Sequence, residues 1–162
     1  MGPLRLWSCN LMRVRGWMIA LVLMLVTAAV PGVSRAQDAG VKVEVTGFRN
    51  DKGQLGCSLW HGPEGFPRDD SHIVKHVWAP IKNANGECAL SGNFPAGDYA
   101  VTLFHDENKN GKFDSNMIGY PLEGYGFSNN VVPRFKAPSF DECKFHYDGS
   151  GWKQISVKMI YR

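Results

Sequence analysis

The chain has no Cys-x-x-Cys pair among its four cysteines, so a thioredoxin-type redox motif is not supported. It has no Gly-x-Ser-x-Gly nucleophile elbow. No segment shows a convincing helical pattern longer than one turn. Its most apolar run, Trp17 to Val30, is 14 residues long, short of the about 20 that cross a bilayer as a helix. An excess of positive charge is present only in appearance. Four of the 18 Lys and Arg, namely Arg5, Arg13, Arg15 and Arg35, and none of the 15 acids lie in the first 36 residues. The remainder carries 14 bases and 15 acids, a net charge of −1. That balance leaves no basic surface to suggest nucleic acid or an anionic membrane as partner.

Those first 36 residues read as a secretory signal peptide. Arg5, Arg13 and Arg15 form its positive region, and Trp17 to Val30 its apolar core. Ser34-Arg35-Ala36 places small residues at positions −3 and −1 of a cleavage site. Cys9 precedes the apolar core, and no cysteine stands near the cleavage site, which argues against a lipoprotein. The expected location is the periplasm or the exterior, with no membrane insertion after cleavage. The mature chain, residues 37–162, is long enough for one domain with its own core. It keeps Cys57, Cys88 and Cys143. In an oxidising compartment two of these are expected to pair. Sequence does not fix the pairing, but Cys57 and Cys88 both fall inside predicted strands, which favours them and leaves Cys143 as the odd thiol.

VKVEVTGF (41–48) alternates apolar and polar, as a half-buried strand does. Asn50 to Gly53 signals a turn, and GQLGCSLWH (53–61) reads as the second strand of a hairpin. HIVKHVWAPIK, beginning at His72, reads as a strand in preference to a short helix, and ECALSGN (87–93) reads as a short strand. DYAVTLFHD (98–106) is the clearest strand, with Tyr99, Val101 and Leu103 on one face. Regularity then stops from Glu107 to Ser139, a loop long enough to be functional or tightly self-organised. PSFDE (138–142) spaces Ser139 and Glu142 as a capping box for a one-turn helix. CKFHY (143–147) and QISVKMIY (154–161) close the chain as strands. About seven short strands separated by turns predict an all-β, antiparallel β-sandwich.

HDENKNGKFD (105–114) places Asp106, Asn108, Asn110 and Asp114 at positions 1, 3, 5 and 9 of a loop, with Gly111 at position 6. Calcium takes six to eight oxygen ligands, and oxygens at alternate positions can wrap around it. Lys112 would lend its backbone carbonyl at position 7. Met117 stands where an EF-hand has a bidentate Glu, so binding would be weak, about 0.1–1 mM. Glu107 is expected to point outward, and Glu123 is placed to fold back. The competing reading is an Asx-rich turn in which the same side chains cap backbone N–H groups without an ion.

The run FPAGDYAVTLFHDENKNGKFDSNMIGYPLEGYGFSNN, followed by APSFDECKF, resembles the secreted bacterial family of domain of unknown function 2141. The resemblance covers nearly the whole mature chain and is most specific between Pro95 and Phe145. It departs at Lys136-Ala137, where Gly and Pro are expected, and at Cys143, where a small residue is usual. The resemblance implies a transthyretin-like or Ig-like sandwich and no established activity. The acidic loop also resembles the Asp-x-Asn-x-Asn-Gly-x-x-Asp loops of repeats in adhesin surface modules.

Other candidates are weighed against simpler roles. His61, His72, His76 and His105 would form a cluster only if the fold gathers them. Ser128 follows Gly124-Tyr125-Gly126-Phe127, and the simpler reading is a tight loop with Gly and Asn at positive φ and Tyr125 and Phe127 as anchors. Trp60 and Trp78 suit glycan stacking, but core packing is the more frequent use. The expectation is a non-enzymatic cell-envelope interaction module with a calcium-stabilised loop and a protein or glycan partner. A carbohydrate- or small-ligand-binding domain is the alternative, and a hydrolase the second alternative.

Overall fold

The computed structural model describes residues 39–162. The expected signal peptide and cleavage site lie outside the described residues. The strands are β1 (Gly40–Thr46), β2 (Gln54–Trp60), β3 (Ile73–Ala79), β4 (Ile81–Lys82), β5 (Asn85–Ser91), β6 (Gly97–Asp106), β7 (Gly124–Phe127), β8 (Phe145–Tyr147) and β9 (Trp152–Lys158). The short α-helix α1 (Phe140–Cys143) carries the predicted capping box between Ser139 and Glu142. The first sheet has the order β4-β5-β1-β9. The second has the order β3-β2-β6-β7, with β8 paired to the start of β6.

The fold is a β-sandwich, and alternation along its strands explains it. Val41, Val43 and Val45 of β1 point inward, while Glu44 stays in water. Tyr99, Val101 and Leu103 of β6 meet them from the other sheet, together with Leu55, Cys57 and Leu59 of β2. The Tyr99 hydroxyl donates to the Pro95 carbonyl at 2.9 Å and closes the turn before β6.

The structure corrects several expectations. β1 and β2 do not form a hairpin: β1 pairs with β5 and β9, and β2 with β3 and β6. Both strands bear inward apolar residues that satisfy either arrangement locally, and only the partners' registers decide between them. The pairing is not wholly antiparallel, because β1 and β9 run parallel. Cys143 belongs to α1 and not to a strand. Residues 124–127, expected within a loop, form β7 against β6.

That last correction follows from the glycines. Gly124 and Gly126 are not at positive φ, whereas Asn129 and Asn130 are, at 61° and 54°. The glycines serve close packing: a Cβ on Gly124 would collide with the Tyr161 ring, and one on Gly126 would sit 3.1 Å from Val157.

Unlike β1, β2 is buried on both faces. Its outward side joins a second apolar cluster of Trp60, Ala100, Tyr125, Phe127, Phe140 and Cys143. The outer face of the second sheet is therefore partly covered by chain, and the candidate site lies there.

The Cys57–Cys88 disulfide joins β2 to β5, and so one sheet to the other, with Cα atoms 6.5 Å apart. Cys143 is the free, buried thiol. Its burial, with the neighbouring Glu142 charge, pushes the thiol up to about 12, so it stays neutral. The bridge spans a sequence separation of 31 residues, for which loop-closure entropy gives about 3–4 kcal/mol. Urea unfolding of Cys57→Ala/Cys88→Ala is expected to show that loss, with Tm lower by about 12 °C. An unchanged midpoint would show that the bridge constrains nothing the core does not.

Candidate functional site: an aromatic groove beside an acidic loop

The strand β6 ends in two buried polar residues, His105 and Asp106. His105 Nε2 donates to the Lys52 carbonyl at 2.7 Å, and Nδ1 lies 2.8 Å from the Tyr161 hydroxyl. Asp106 is fully buried, and its lone pairs go to the loop that follows. Its carboxylate accepts from the N–H groups of Asn110 and Gly111, each at 3.0 Å, and from the Gln54 amide at 2.8 Å. Glu123, buried just before β7, does the same from the other side. It accepts from the Glu107 N–H at 2.9 Å and the Asp114 N–H at 3.0 Å. Two buried carboxylates thus hold both ends of the acidic loop.

Four predicted calcium ligands, Asp106, Asn108, Asn110 and Asp114, do come together. In this arrangement they bond to each other and to the backbone. Asn108 donates to Asp114 at 2.7 Å, and Asn110 donates to both Asp114 oxygens at 3.0 and 3.1 Å. Lys112 donates its N–H to Asn110 Oδ1 at 2.8 Å. The donor set for a cation is all oxygen, which fits a hard ion. No three His, Cys, Asp or Glu side chains converge on one metal position among the described residues. A cation would therefore need the Asn108 and Asn110 amides turned over, so that oxygen rather than N–H faces Asp114. Glu107 does not point outward as expected: it is half-buried and pairs with Arg49 and Asn50. Burial pushes Glu107 up, but Asn50 and Arg49 more than offset this and leave it below its ordinary value.

The residues after β7 stitch the cover down. Ser128 Oγ accepts from the Val101 N–H at 2.9 Å and donates to the Cys143 carbonyl at 2.6 Å. Asn129 donates to the carbonyls of Glu142 and Lys144. Asn130 bonds the Ser156 carbonyl and the Lys158 N–H, imitating one residue of a strand beside β9. Ser128 is thus a buried structural hydroxyl.

Between the acidic loop and segment 133–137 lies an open groove of about 910 Å³. Its floor is the outer face of β2, β6 and β7, with Ser58, Thr102, Phe104 and Tyr125. Phe113 rises from the acidic loop and meets Phe104 and Tyr125 edge-to-face at 6.2 and 6.1 Å. Gly56 makes room for Phe104, since a Cβ there would sit 2.5 Å from its ring. The floor's hydroxyls are engaged: Ser58 Oγ lies 2.9 Å from His76 Nδ1, and Thr102 accepts from the Trp60 indole at 3.0 Å. His76 Nε2 is buried with no hydrogen-bond partner among the described residues. Burial holds His76 below its ordinary value, against the opposing charge of Asp70.

The four histidines do not gather. His61 stacks on Tyr99, His72 lies near Glu64 and Asp69, His76 bonds Ser58, and His105 is buried behind the acidic loop. Trp60 is buried, whereas Trp78 is exposed and meets Phe104 edge-on. Sequence reasoning missed the groove residues Phe104, Phe113, Tyr120 and Phe135. One signal was available: Phe104 is a large aromatic on the polar face of an otherwise alternating strand.

Burial pushes the Glu123 carboxyl above its ordinary value, with Asp114 and Asp106 adding repulsion, while the two N–H bonds pull it back. The folded state thus takes a proton at Glu123 at higher pH than the unfolded chain does. By linkage, this group adds stability as pH falls from its folded pKa toward the unfolded value of about 4.3. The stability of the native protein minus that of Glu123→Gln is expected to grow as pH is lowered from neutral toward about 4.3 in urea titrations. A difference that does not vary with pH would contradict the shift.

The family model described as an uncharacterised protein conserved in bacteria, DUF2141, matches residues 43–155. No curated protein and no solved structure is significantly similar to the chain. The match spans both sheets, the acidic loop and the residues that stitch the cover, and the chain therefore belongs to the bacterial DUF2141 family.

Proposed function

We propose that this protein is an exported, non-enzymatic binding module of the cell envelope that takes a small ligand in the groove above its second sheet. The groove itself carries the reading. An open concavity of about 910 Å³ with an aromatic floor is the size and character of a ligand site. Export is supported by the leader-like first 36 residues and by the inter-sheet disulfide, which needs an oxidising compartment. A hydrolase has less support, because Ser128 is spent on backbone groups and the histidines stand apart. Titration with the neutral fluorophore N-phenyl-1-naphthylamine is expected to saturate. Phe113→Ala and Tyr120→Ala should each weaken it about fivefold, the scale of one aromatic contact, while Lys153→Ala on β9 leaves it unchanged. No saturable binding would remove the reading.

A second element of the proposal is that calcium braces the acidic loop from outside the groove. What favours it is charge: Asp106, Asp114 and Glu123 share one loop, and none forms an ion pair with Lys or Arg among the described residues. With a Kd of about 1 mM, about 10 mM calcium adds about 1.4 kcal/mol, a rise in Tm of about 5 °C. Asp114→Asn, a half-buried position outside the hydrophobic core, is expected to reduce that rise. Identical melting curves in calcium and in chelator would leave the loop as a hydrogen-bonded turn only.

A further inference from the structure

The groove is chemically unlike the rest of the molecule. The chain after the leader has a net charge of −1, yet the groove's lining holds Arg68, Lys112, Arg134, Lys136 and Arg162 against the single acidic side chain of Asp70. Arg162 is spent on its own wall, where its guanidinium donates to the carbonyls of Pro133 and Arg134. The other four are exposed and form no ion pair among the described residues. Lys136 lies in the field of a nearby carboxylate, Glu142, and Lys112 stands on the acidic loop two residues from Asp114. Like charges gathered around a low-dielectric concavity attract an anion and concentrate it there.

The floor sets the other half of the chemistry. A sugar ring needs several free hydrogen-bonding groups beside an aromatic face. Here the Ser58 and Thr102 hydroxyls are already engaged with His76 and Trp60. What the floor offers is rings. Its flanking segments add apolar side chains left in water, with Ile118 88% and Phe135 101% exposed. Covering such side chains is favourable for an apolar body and gives nothing to a polar one.

We infer that the occupant is a single-chain anionic amphiphile, with its hydrocarbon or aryl body along Phe104 and Phe113 and its acidic head among Lys112, Arg134 and Lys136. The inference rests on the groove being a ligand site and adds the ligand's class. A concave floor suits one molecule. A bilayer surface would instead engage the projecting tips, and it is kept as an outcome of the test.

The test uses purified protein with the Cys57–Cys88 disulfide intact and a matched pair of dyes. 8-Anilino-1-naphthalenesulfonate carries an acidic group that N-phenyl-1-naphthylamine lacks on the same aromatic body. The sulfonate dye is expected to bind about tenfold more tightly at low salt, with the advantage lost at about 0.5 M salt. Lys112→Glu/Lys136→Glu, both exposed positions whose change should leave melting unaffected, is expected to weaken the sulfonate dye about tenfold and leave the neutral dye alone. Decanoate should displace the sulfonate dye at about tenfold lower concentration than decanol does. Equal affinity for the two dyes, insensitive to salt and to the charge reversal, would overturn the anionic assignment while leaving the groove as a site. Failure of both dyes to bind would remove the groove reading itself. Co-sedimentation with phosphatidylglycerol vesicles, without binding of decanoate or the sulfonate dye, would assign the face to a membrane and overturn the proposal.

Discussion

Two carboxylates buried at neighbouring strand ends, Asp106 and Glu123, set the geometry of everything above the second sheet. A charge removed from water costs several kcal/mol unless hydrogen bonds replace its solvation. The replacements here are backbone N–H groups of the acidic loop, at Glu107, Asn110, Gly111 and Asp114. The loop is therefore wound around the carboxylates rather than merely passing them. Its winding places Phe113 over Phe104 and Tyr125, which makes one wall of the groove. An Asx-rich turn and an ion site are two uses of the same oxygens. The difference lies in which way two amides face.

The signature run from Glu123 to Asn130 has a structural purpose at nearly every position. Glu123 ties the acidic loop, Gly124 and Gly126 admit Tyr161 and Val157, and Tyr125 and Phe127 fill the second cluster. Ser128, Asn129 and Asn130 bond β6, the end of α1 and the edge of β9. A motif this dense in polar and small residues invites a catalytic reading. Its residues are instead consumed in holding a cover on a sheet face that would otherwise be exposed. The free chemistry lies beside the motif, in the rings and cations of the groove.

Much of the fold was legible because burial on one face imposes a period of two on the strands. Val41, Val43 and Val45, and Tyr99, Val101 and Leu103, showed it and were placed correctly. So were the Cys57–Cys88 bridge and the capping box at Ser139, which rest on local position and spacing. β7 was not legible. Buried on both faces and built partly of glycine, it has no alternation to read. The same holds for the β1–β2 relation, since a turn signal says that the chain reverses, not that the two strands bond.

The sequence by itself determined that the chain is a stapled all-β domain with an acidic loop, because these depend on composition, periodicity and spacing within short stretches. Tertiary structure alone decided the candidate site. Arg68, Lys112, Phe104 and Lys136 are far apart in the chain, and nothing local marks them as neighbours. They share a groove only because β2, β6 and β7 lie side by side and two buried carboxylates hold the loop over them.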